Sequence, residues 1–386
     1  MNIGFDGSRA FVKYRTGTEN YSFELLKNLA KLDTLNEYLV YIRPGNEVNS
    51  KDWPANFKFK KIDLPYLWTQ YGLAAETFLD KLDVLFVPAH TLPLIRRPGL
   101  KTVMTVHDLG SEYLPGLHQL KQRLYLSFIT KVQLKSATRL IAVSQATKQD
   151  LIDKVGVSKD RVEVIYEGLN DLKPAKNPAA ILKRHNLKPK EYLLFVGTIQ
   201  PRKNLERLIK AFQLFVRGGS ERSERGPRRG LGADRTPEQS LKLVLVGGRG
   251  WMSDEIYQLP KKLRIEDRVK FLGRVPDGDL GALYQGAKAF VFPSLFEGFG
   301  LPILEAFSAS CPVLTSNLSS TKEISGDAAI LIDPYDIDSI VSGLRKVLKE
   351  GESKKLITKG LKRVKDFSWQ KAAKETLDLL TKVANQ

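Results

Sequence analysis

Short apolar segments of the kind that form buried strands alternate with helical patterns along the chain. This alternation is typical of parallel sheets whose strands are joined by crossover helices. No repeat of fixed period is present. The sequence therefore predicts an α/β fold with parallel sheets. The predicted strands are residues 3–5, 38–42, 84–87, 102–106, 140–143 and 162–166 in the first half, and 192–196, 241–246, 269–272, 289–292, 312–314 and 330–332 in the second.

The length of the chain predicts two domains, because 386 residues exceed what one hydrophobic core usually holds. Residues 170–190 contain several prolines and lysines without a strong strand pattern, so we place the linker and hinge there. The predicted domains are residues 1–172 and 188–369. Each is expected to be Rossmann-like, with ligand-binding loops at the strand ends and the two sheets facing a central cleft.

The second half contains one stretch of a different composition. Residues 217–240 are rich in Gly, Arg, Glu, Ser and Pro and have no periodicity. Such a segment cannot bury enough apolar surface to offset the entropy lost on ordering. We predict a disordered insertion there.

The segment Phe296–Ala306 joins the end of an apolar strand to a glycine loop and a helix start. Pro302 suits the first turn of a helix that begins near Leu301. Gly298 and Gly300 would let backbone N–H groups approach an anion at the positive end of the helix dipole. This arrangement favours a phosphate group.

Two acidic residues flank this helix start. Glu297 lies in the glycine loop, and Glu305 lies one turn into the predicted helix. The two carboxylates would contact different parts of one ligand, one a sugar and the other a ribose. We interpret the segment as a nucleotide-sugar site; the alternative is a pair of solvated charges beside a structural turn. The other residues expected to contact the donor here are Gly298, Phe299, Gly300 and Leu301.

A pair of cations follows the first strand of the second half. Arg202 and Lys203 come after the strand 192–196 and Gly197, and before a helix for which Asn204 is the expected N-cap. Their side chains should lie near the carboxyl edge of the sheet, where ligands bind. Arginine binds phosphate through two N–H groups and lysine acts as a point charge, so the pair can neutralise a diphosphate.

Polar residues also end two strands of the first half. His107 and Asp108 follow the strand 102–106, and Ser144 follows the strand 140–143. A histidine can donate or accept a hydrogen bond, and a neighbouring acid can orient its ring. Ser144 would cap the next helix or face an acceptor, and capping is the more common role.

The N-terminal glycine loop, residues 7–18, precedes a helix. Thr16 and Gly17 lie near the start of that helix, where they would contact the donor phosphate or an acceptor. An ordinary helix-capping turn is an equal alternative.

The segment E-G-F-G-L-P-I-L-E-A at residues 297–306 resembles the signature of the family-4 retaining glycosyltransferases, also called the group 1 transferases. The resemblance covers nearly the whole chain, with further matches at residues 105–109, 143–147 and 197–205. It implies the GT-B fold of two Rossmann-like domains. It also implies a last helix, at about residues 370–386, that packs back on the N-terminal domain.

The same resemblance implies roles for the candidate residues. Glu297 would position the donor sugar, and Glu305 would hold the ribose. Arg202 and Lys203 would stabilise the departing nucleoside diphosphate. His107 would hydrogen-bond the hydroxyls of the donor sugar.

The implied reaction is transfer of a hexose from a nucleoside-diphosphate sugar to a hydroxyl acceptor, with retention at the anomeric carbon. The setting would be polysaccharide or glycolipid assembly, with a glycan or lipid-linked acceptor. Similarity to bacterial mannosyltransferases makes mannose the first choice, and other hexoses stay open.

The sequence predicts no metal site and no cofactor besides the nucleotide-sugar substrate. The four histidines are scattered, and no Asp-x-Asp pair directly follows an apolar strand. Arg202, Lys203 and the helix terminus would take the place of a metal ion at the diphosphate. The single cysteine, Cys311, excludes a disulfide framework and is expected in the core.

The termini and the apolar runs predict a cytoplasmic protein. Asp6 follows too few apolar residues for a secretory leader, and no apolar run reaches the roughly eighteen residues of a membrane span. Peripheral association with the inner membrane face is compatible with this location.

The formal net charge of +18 should attract anionic partners, including an anionic membrane surface. Basic and apolar residues alternate within residues 113–139, which fits membrane docking or a core-facing helix with a solvated basic face. Two other functions stay open. One is a basic nucleic-acid-binding protein, although no nucleic acid is expected because no recognised motif accompanies the charge. The other is a catalytically silent nucleotide-sugar-binding protein.

Overall fold

The computed structural model describes residues 1–13, 15, 17–89, 91–109, 129–170, 172, 177–218 and 240–386. Three sequence predictions fall wholly or largely elsewhere. They concern Thr16, the insertion at residues 217–240 and the basic segment at residues 113–139. Of the insertion only its first two residues and its last residue are described, and of the basic segment only the part from residue 129 onward.

Two parallel sheets form the framework, which confirms the predicted α/β class. The strands of the first are β1 (Asn2–Asp6), β2 (Glu37–Ile42), β3 (Phe57–Lys61), β4 (Val84–Val87), β5 (Lys101–Val106), β6 (Arg139–Ala142) and β7 (Val162–Val164). Those of the second are β8 (Tyr192–Val196), β9 (Lys242–Val246), β10 (Val269–Gly273), β11 (Ala289–Phe292), β12 (Val313–Ser316) and β13 (Ala329–Ile332). The strand orders are β3-β2-β1-β4-β5-β6-β7 and β10-β9-β8-β11-β12-β13. Both orders reverse direction beside the first strand of the sheet, and ligands bind parallel sheets at such points.

Strand β3 is missing from the predicted strands. Phe57 and Phe59 alternate with Lys58 and Lys60 along it, which is the period of a strand, but the lysines lower its apolar content. The reason is its place at the edge of the sheet, where charged residues protect exposed backbone groups from pairing with other chains.

The helices alternate with the strands as predicted. They are α1 (Gly17–Leu32), α2 (Ala74–Leu79), α3 (Gln145–Asp150), α4 (Pro178–Arg184), α5 (Leu205–Arg217), α6 (Asp254–Lys262), α7 (Asp277–Gly286), α8 (Leu301–Ser308), α9 (Ser319–Ser325), α10 (Ile337–Val347), α11 (Glu350–Arg363) and α12 (Trp369–Ala384). A π-helical segment, Trp68–Leu73, leads directly into α2. A second one, Leu151–Val155, continues α3.

The chain divides into two compact units. The first unit comprises Met1–Gly168 and Phe367–Gln386, and the second comprises Leu169–Asp366. Within the first unit, α12 packs against α1, β4 and β5. The C-terminal helix is thus part of the unit that is built mainly from the N-terminal half of the chain.

A glycine makes room for the return of the chain into the first unit. A Cβ atom on Gly168 would lie 2.2 Å from the backbone nitrogen of Trp369 and 2.5 Å from its Cγ. The ring of Trp369 in turn lies 5.7 Å from that of Tyr21 on α1. The start of α12 is therefore packed directly against the last residues of the N-terminal segment.

Each sheet is covered by buried apolar side chains. In the second unit, α5 buries Leu205, Leu208, Ile209, Phe212 and Phe215, whose spacing puts them on one face of the helix. Cys311 is also buried, which confirms its predicted place in the core.

Candidate functional site

Arg202, Lys203 and Glu297 meet at the carboxyl edge of the second sheet. The two cations lie in the 3-10 turn Pro201–Lys203, which follows β8. Nη1 of Arg202 donates to Oε2 of Glu297 at 2.9 Å and to the carbonyl oxygen of Phe296 at 3.0 Å. Nζ of Lys203 donates to the other carboxylate oxygen, Oε1. The predicted cations and the predicted acid therefore form one cluster.

Two members of the cluster are buried, and the cluster carries an excess of positive charge. Glu297 is 7% exposed and Lys203 is 6% exposed. Burial by itself would raise the pKa of Glu297, but the charges of Lys203 and Arg202 outweigh it and hold that pKa below its ordinary value. Glu297 is therefore a carboxylate at neutral pH. One negative charge against two positive charges favours an anionic ligand.

Helix α8 begins four residues after Glu297. Gly300 occupies the N-cap position with a φ of +114°, a conformation that residues with side chains rarely adopt. Leu301 is the first helical residue and Pro302 follows it, so the predicted helix start is confirmed. The positive end of the helix dipole thus follows the loop that carries Glu297. Pro302 has no N–H group, and the N–H of Ile303 donates to the carbonyl oxygen of Gly300 at 2.9 Å.

Three serines brace the loop that carries Glu297. Oγ of Ser320 donates to the carbonyl oxygen of Glu297 at 2.7 Å, and Oγ of Ser319 does so at 3.3 Å. Oγ of Ser316, at the end of β12, donates to the carbonyl oxygen of Ser294 at 2.6 Å. These serines were not predicted, because only the fold brings the end of β12 and the start of α9 to this loop.

Asn204 occupies the N-cap position of α5, but the prediction that its side chain caps that helix is wrong. Its backbone has a φ of +60°, and its side chain makes no capping hydrogen bond. Nδ2 donates instead to the carbonyl oxygens of Pro293 at 3.1 Å and Pro334 at 2.6 Å. Asn204 thereby links the turn that carries Arg202 and Lys203 to the loops after β11 and β13.

Gly197 lies where two loops of the second unit touch. It has a φ of +152°, and a Cβ atom on it would lie 3.6 Å from Cε of Lys203. A Cβ atom on Gly247, which has a φ of +145°, would lie only 1.9 Å from the carbonyl oxygen of Gly197. The close approach of these two glycines places the loop after β8 beside the loop after β9.

Glu305 lies on α8, one turn beyond the cluster. Oε2 of Glu305 accepts a hydrogen bond of 2.7 Å from the hydroxyl of Tyr284 on α7. Its side chain is half-buried, and burial raises its pKa above the ordinary value. Tyr284 was not predicted, because nothing in the sequence relates α7 to this site.

His107 lies in the first unit, at the end of β5. Nδ1 is 3.2 Å from Oε1 of Glu167, and Nε2 is 3.0 Å from the carbonyl oxygen of Pro88. The ring of Tyr21 meets it edge-on at 4.6 Å. Both ring nitrogens face acceptors, so a hydrogen bond to a sugar hydroxyl would have to replace one of these contacts.

Burial by itself would lower the pKa of His107, but the hydrogen bond and the charge of Glu167 together raise it above the ordinary value. Asp108 adds a smaller contribution in the same direction. Glu167 is buried and was not singled out from the sequence. Its position directly after the predicted strand 162–166 was the available signal.

The other residues predicted in the first unit are Ser144, Gly17, Asp108 and Thr16. Ser144 is buried and accepts a hydrogen bond of 3.0 Å from the backbone N–H of Thr147, so it caps α3. Gly17 is the first residue of α1 and is exposed. Asp108 is half-buried, and Thr16 is outside the described residues.

Within the described part of the chain, no three or more His, Cys, Asp or Glu side chains are grouped so that they could hold a metal ion. No helix in the same residues is both long and apolar enough to cross a membrane.

The fold is that of several solved glycosyltransferases. Sucrose-phosphate synthase from Thermosynechococcus elongatus superposes with a TM-score of 0.73 at 19% identity, covering 99% of this chain and 98% of that one. WaaG, a glycosyltransferase involved in lipopolysaccharide biosynthesis, gives 0.71 at 16% identity, with 99% and 100% covered. Anabaena HepE, solved in complex with UDP and glucose, gives 0.71 at 17% identity, with 99% and 100% covered. These similarities identify the GT-B fold.

The chain belongs to the family-4, or group 1, glycosyltransferases. Residues 15–171 match the family described as Glycosyltransferase Family 4, and residues 179–363 match Glycosyl transferases group 1. Together the two matches cover both compact units and confirm the resemblance seen in the sequence motifs.

The similar proteins include several mannosyltransferases. The chain is 33% identical to O-antigen chain mannosyltransferase B of Escherichia coli over 72% of its own length and 69% of that protein. It is 28% identical to the O-antigen chain mannosyltransferase RfbU of Salmonella typhimurium, over 67% and 63%. It is 30% identical to the serotype-specific mannosyltransferase WbdA of Escherichia coli over 77% of this chain but only 34% of WbdA. The matched region is thus about two thirds of the first two relatives and one third of the last.

Proposed function

We propose that this chain transfers a hexose, with mannose as the first choice, from a nucleoside-diphosphate sugar to a hydroxyl group of a glycan or lipid-linked acceptor. The product would retain the configuration of the anomeric carbon. The observation that carries this proposal is the buried carboxylate of Glu297, held between Arg202 and Lys203 beside the start of α8.

The cluster has the chemistry to hold a diphosphate. A guanidinium group has five N–H donors and an ammonium group has three, so both can serve Glu297 and phosphate oxygens together. The start of α8 adds backbone N–H groups and dipole charge. Charge that builds on the departing diphosphate is stabilised by the same groups, which lowers the barrier to transfer.

The position of Glu297 favours a role in placing the sugar over a role as nucleophile. Both of its carboxylate oxygens accept hydrogen bonds from cations, and its lowered pKa makes it a weak base. In the proposed step, the bond from the anomeric carbon to the diphosphate oxygen breaks, and a bond to the acceptor oxygen forms on the same face of the sugar. The acceptor proton passes to the departing phosphate oxygen.

Glu305 is proposed to bind the ribose. Its carboxylate is half-buried and oriented by Tyr284, so it can accept hydrogen bonds from two neighbouring hydroxyl groups. His107 and Asp108 are proposed to lie near the donor sugar, and Ser144, Thr16 and Gly17 near the acceptor or the phosphate, on the strength of the family resemblance.

The first choice of mannose is supported by the names of the similar proteins, which include several mannosyltransferases of O-antigen assembly. A lipid-linked acceptor is supported by similarity, at 25% identity, to an N-acetylgalactosaminyltransferase of Campylobacter jejuni whose name includes a diphospho-undecaprenol acceptor. We place the reaction in the cytoplasm, at the inner face of the membrane. We also propose that it needs no metal ion or cofactor, because Arg202 and Lys203 can neutralise the diphosphate.

The test is a donor screen with release of nucleoside diphosphate as the readout. The purified chain is incubated with GDP-mannose, UDP-glucose or UDP-galactose and a membrane extract as the source of acceptor, with and without EDTA. The proposal predicts acceptor-dependent release that is fastest with GDP-mannose and unaffected by EDTA. Release from another donor would overturn the choice of mannose, and loss of release in EDTA would overturn metal independence.

Two controls separate the alternatives. Glu297→Gln keeps the size of the side chain and removes its charge, and it should reduce release by a factor of about 10² or more. A chain that binds nucleotide sugars without any acceptor-dependent release would be a silent binding protein. Binding of duplex DNA without binding of nucleotides would support the nucleic-acid alternative.

A further inference from the structure

The first unit exposes an apolar surface along one helical segment. Residues 68–79 form a continuous helix, π-helical at first and then α2. The inward face buries Trp68, Leu73 and Thr77. The outward face also carries large apolar side chains, so both sides of the helix are apolar.

The exposed side chains of this helix are spaced to lie on one face. Tyr71, Phe78 and Leu79 are exposed, and they stand seven and eight residues apart, which is about two helical turns. Leu67, just before the helix, is exposed as well and has a left-handed backbone with a φ of +49°. A solvated helix face would carry charged or polar residues at these positions.

A neighbouring loop adds to the same surface. The side chain of Gln70 donates to the carbonyl oxygen of Leu92 at 3.1 Å and accepts from the backbone N–H of Leu94 at 3.0 Å. Farther along, the backbone N–H of Arg97 donates to Oγ1 of Thr77 at 3.0 Å. The loop is thus tied along the helix at two points. We call the combined set the apolar helix face; its members are Tyr66, Leu67, Tyr71, Phe78, Leu79, Leu94 and Ile95.

Cations border the apolar helix face. The guanidinium of Arg96 donates to the carbonyl oxygens of Pro93 at 2.9 Å and Ser136 at 2.6 Å. That of Arg97 donates to the carbonyl oxygens of Asp80 and Leu82. Carbonyl groups orient these side chains but do not cancel their charge.

Two acids lie beside this helix. Glu76 and Asp80 both bind Nζ of Lys60, so these three side chains together carry one negative charge. The two positive charges of Arg96 and Arg97 outweigh it, and the chain as a whole is also positive.

We propose that the apolar helix face is a membrane-docking surface that binds the anionic surface of a phospholipid bilayer. Aliphatic side chains enter the boundary between headgroups and acyl chains, tyrosines suit the interface because one end is apolar and the other polar, and the arginines bind anionic headgroups. A second copy of this chain is disfavoured as the occupant, because two chains of net charge +18 would bring like charges together.

The test is sedimentation of the full chain with vesicles in the absence of any nucleotide sugar. Vesicles of phosphatidylcholine with phosphatidylglycerol are compared with vesicles of phosphatidylcholine alone. The wild type should sediment with the anionic vesicles, and less so as salt is raised. The double variant Leu79→Ser/Ile95→Ser should bind the anionic vesicles at least about tenfold more weakly, because two apolar side chains no longer enter the bilayer.

Leu35→Ser is the matched control. Leu35 is 90% exposed, and Leu79 and Ile95 are 72% and 73% exposed, so none of these changes should disturb the fold. The control variant should bind like the wild type. Equal binding by the wild type and the double variant would overturn the proposal, as would absence of wild-type binding to anionic vesicles.

Sedimentation velocity without lipid tests whether a second copy of this chain binds the apolar helix face. Self-association of the wild type that the double variant abolishes would assign the surface to a second copy instead. The proposal does not depend on glycosyl transfer, since vesicle binding requires no donor. A chain that docks without transferring sugar would leave this inference standing and overturn only the proposed function.

Discussion

The hydroxyl of Tyr284 donates a hydrogen bond of 2.7 Å to Oε2 of Glu305. Tyr284 is fully buried, and its pKa is raised well above the ordinary value by burial and by the charge of Glu305, so the phenol stays protonated and acts as a donor. Glu305 is half-buried, and the hydrogen bond from the buried Tyr284 orients its carboxylate. This contact links α7 to the proposed ribose site on α8.

Replacement of Glu305 tests the ribose site. Glu305→Ala should weaken binding of a nucleoside diphosphate by about 1.5–3 kcal/mol, because hydrogen bonds to a charged group are lost. Titration calorimetry with GDP and UDP measures the effect, and Glu266→Ala, an exposed acid in the same unit, is the control. Unchanged affinity in Glu305→Ala would remove its assigned role.

The pH dependence of nucleotide binding is an independent test of the role of Glu305. Since its pKa is raised by burial, the accepting carboxylate form appears only as the pH rises through that raised pKa, and affinity should rise with it. The hydrogen bond from Tyr284 partly opposes the effect of burial. Tyr284→Phe should therefore shift the affinity profile to higher pH; a profile that does not move would contradict the coupling.

The contact between His107 and Glu167 predicts a pH-dependent stability of the first unit. The pKa of His107 is raised in the folded state. Its stabilising contribution should be fully present below the ordinary histidine pKa of about 6.5 and lost as the pH rises through the raised value. Glu167→Ala should lower the free energy of unfolding by about 3 kcal/mol at about pH 6, since a buried charge loses its partner.

Glu167→Ala should lower the free energy of unfolding by less at about pH 9, where a histidine is closer to neutral. Urea unfolding followed by tryptophan fluorescence measures both values, because Trp53, Trp68 and Trp369 belong to the first unit. Glu163→Ala, an exposed glutamate on β7, is the matched control. An equal loss at both pH values would show that the charge of His107 is not involved.

The close approach of Gly247 to Gly197 predicts a large effect of one methyl group. Gly247→Ala should lower the free energy of unfolding by about 3 kcal/mol, because the Cβ atom would overlap the carbonyl oxygen of Gly197 and the backbone has a positive φ. Gly248→Ala is the control, since its Cβ atom would meet nothing within 4 Å. Chemical denaturation of the two variants checks this, and equal stability would contradict the packing of these loops.

Much of the framework was predictable because its signals are local. Buried parallel strands such as β11, with the sequence Ala289-Phe290-Val291-Phe292, are continuous apolar runs, and the helix start at Leu301 has both a preceding glycine and a proline. The edge strand β3 escaped prediction because its lysines reflect its place in the sheet, which only the assembled order of strands reveals.

The candidate site was predictable only in part. The acid and cations of the second unit were found because they lie in the loops that follow β8 and β11, within segments that resemble the family motifs. Their supports were not found, because the bonds from Ser320 to Glu297 and from Tyr284 to Glu305 join elements that are distant in sequence. Asn204 shows a further limit, since its backbone is left-handed and its side chain bonds two loops instead of capping the helix it precedes.

The proposed transfer requires that the cluster of Arg202, Lys203 and Glu297 binds a diphosphate. Arg202 allows the cleanest test, because it is more exposed than Lys203 and its removal leaves Lys203 to balance the charge of Glu297. Arg345→Ala, an exposed arginine on α10, is the matched control.

The deciding measurement is the affinity of the full chain for GDP and UDP by titration calorimetry, for the wild type, Arg202→Ala and Arg345→Ala. Arg202→Ala should bind the preferred nucleotide more weakly by about 1.5–3 kcal/mol, or roughly 10-fold to 150-fold, whereas Arg345→Ala should bind like the wild type. Equal affinity in the wild type and Arg202→Ala would contradict the assignment of this cluster as the diphosphate site.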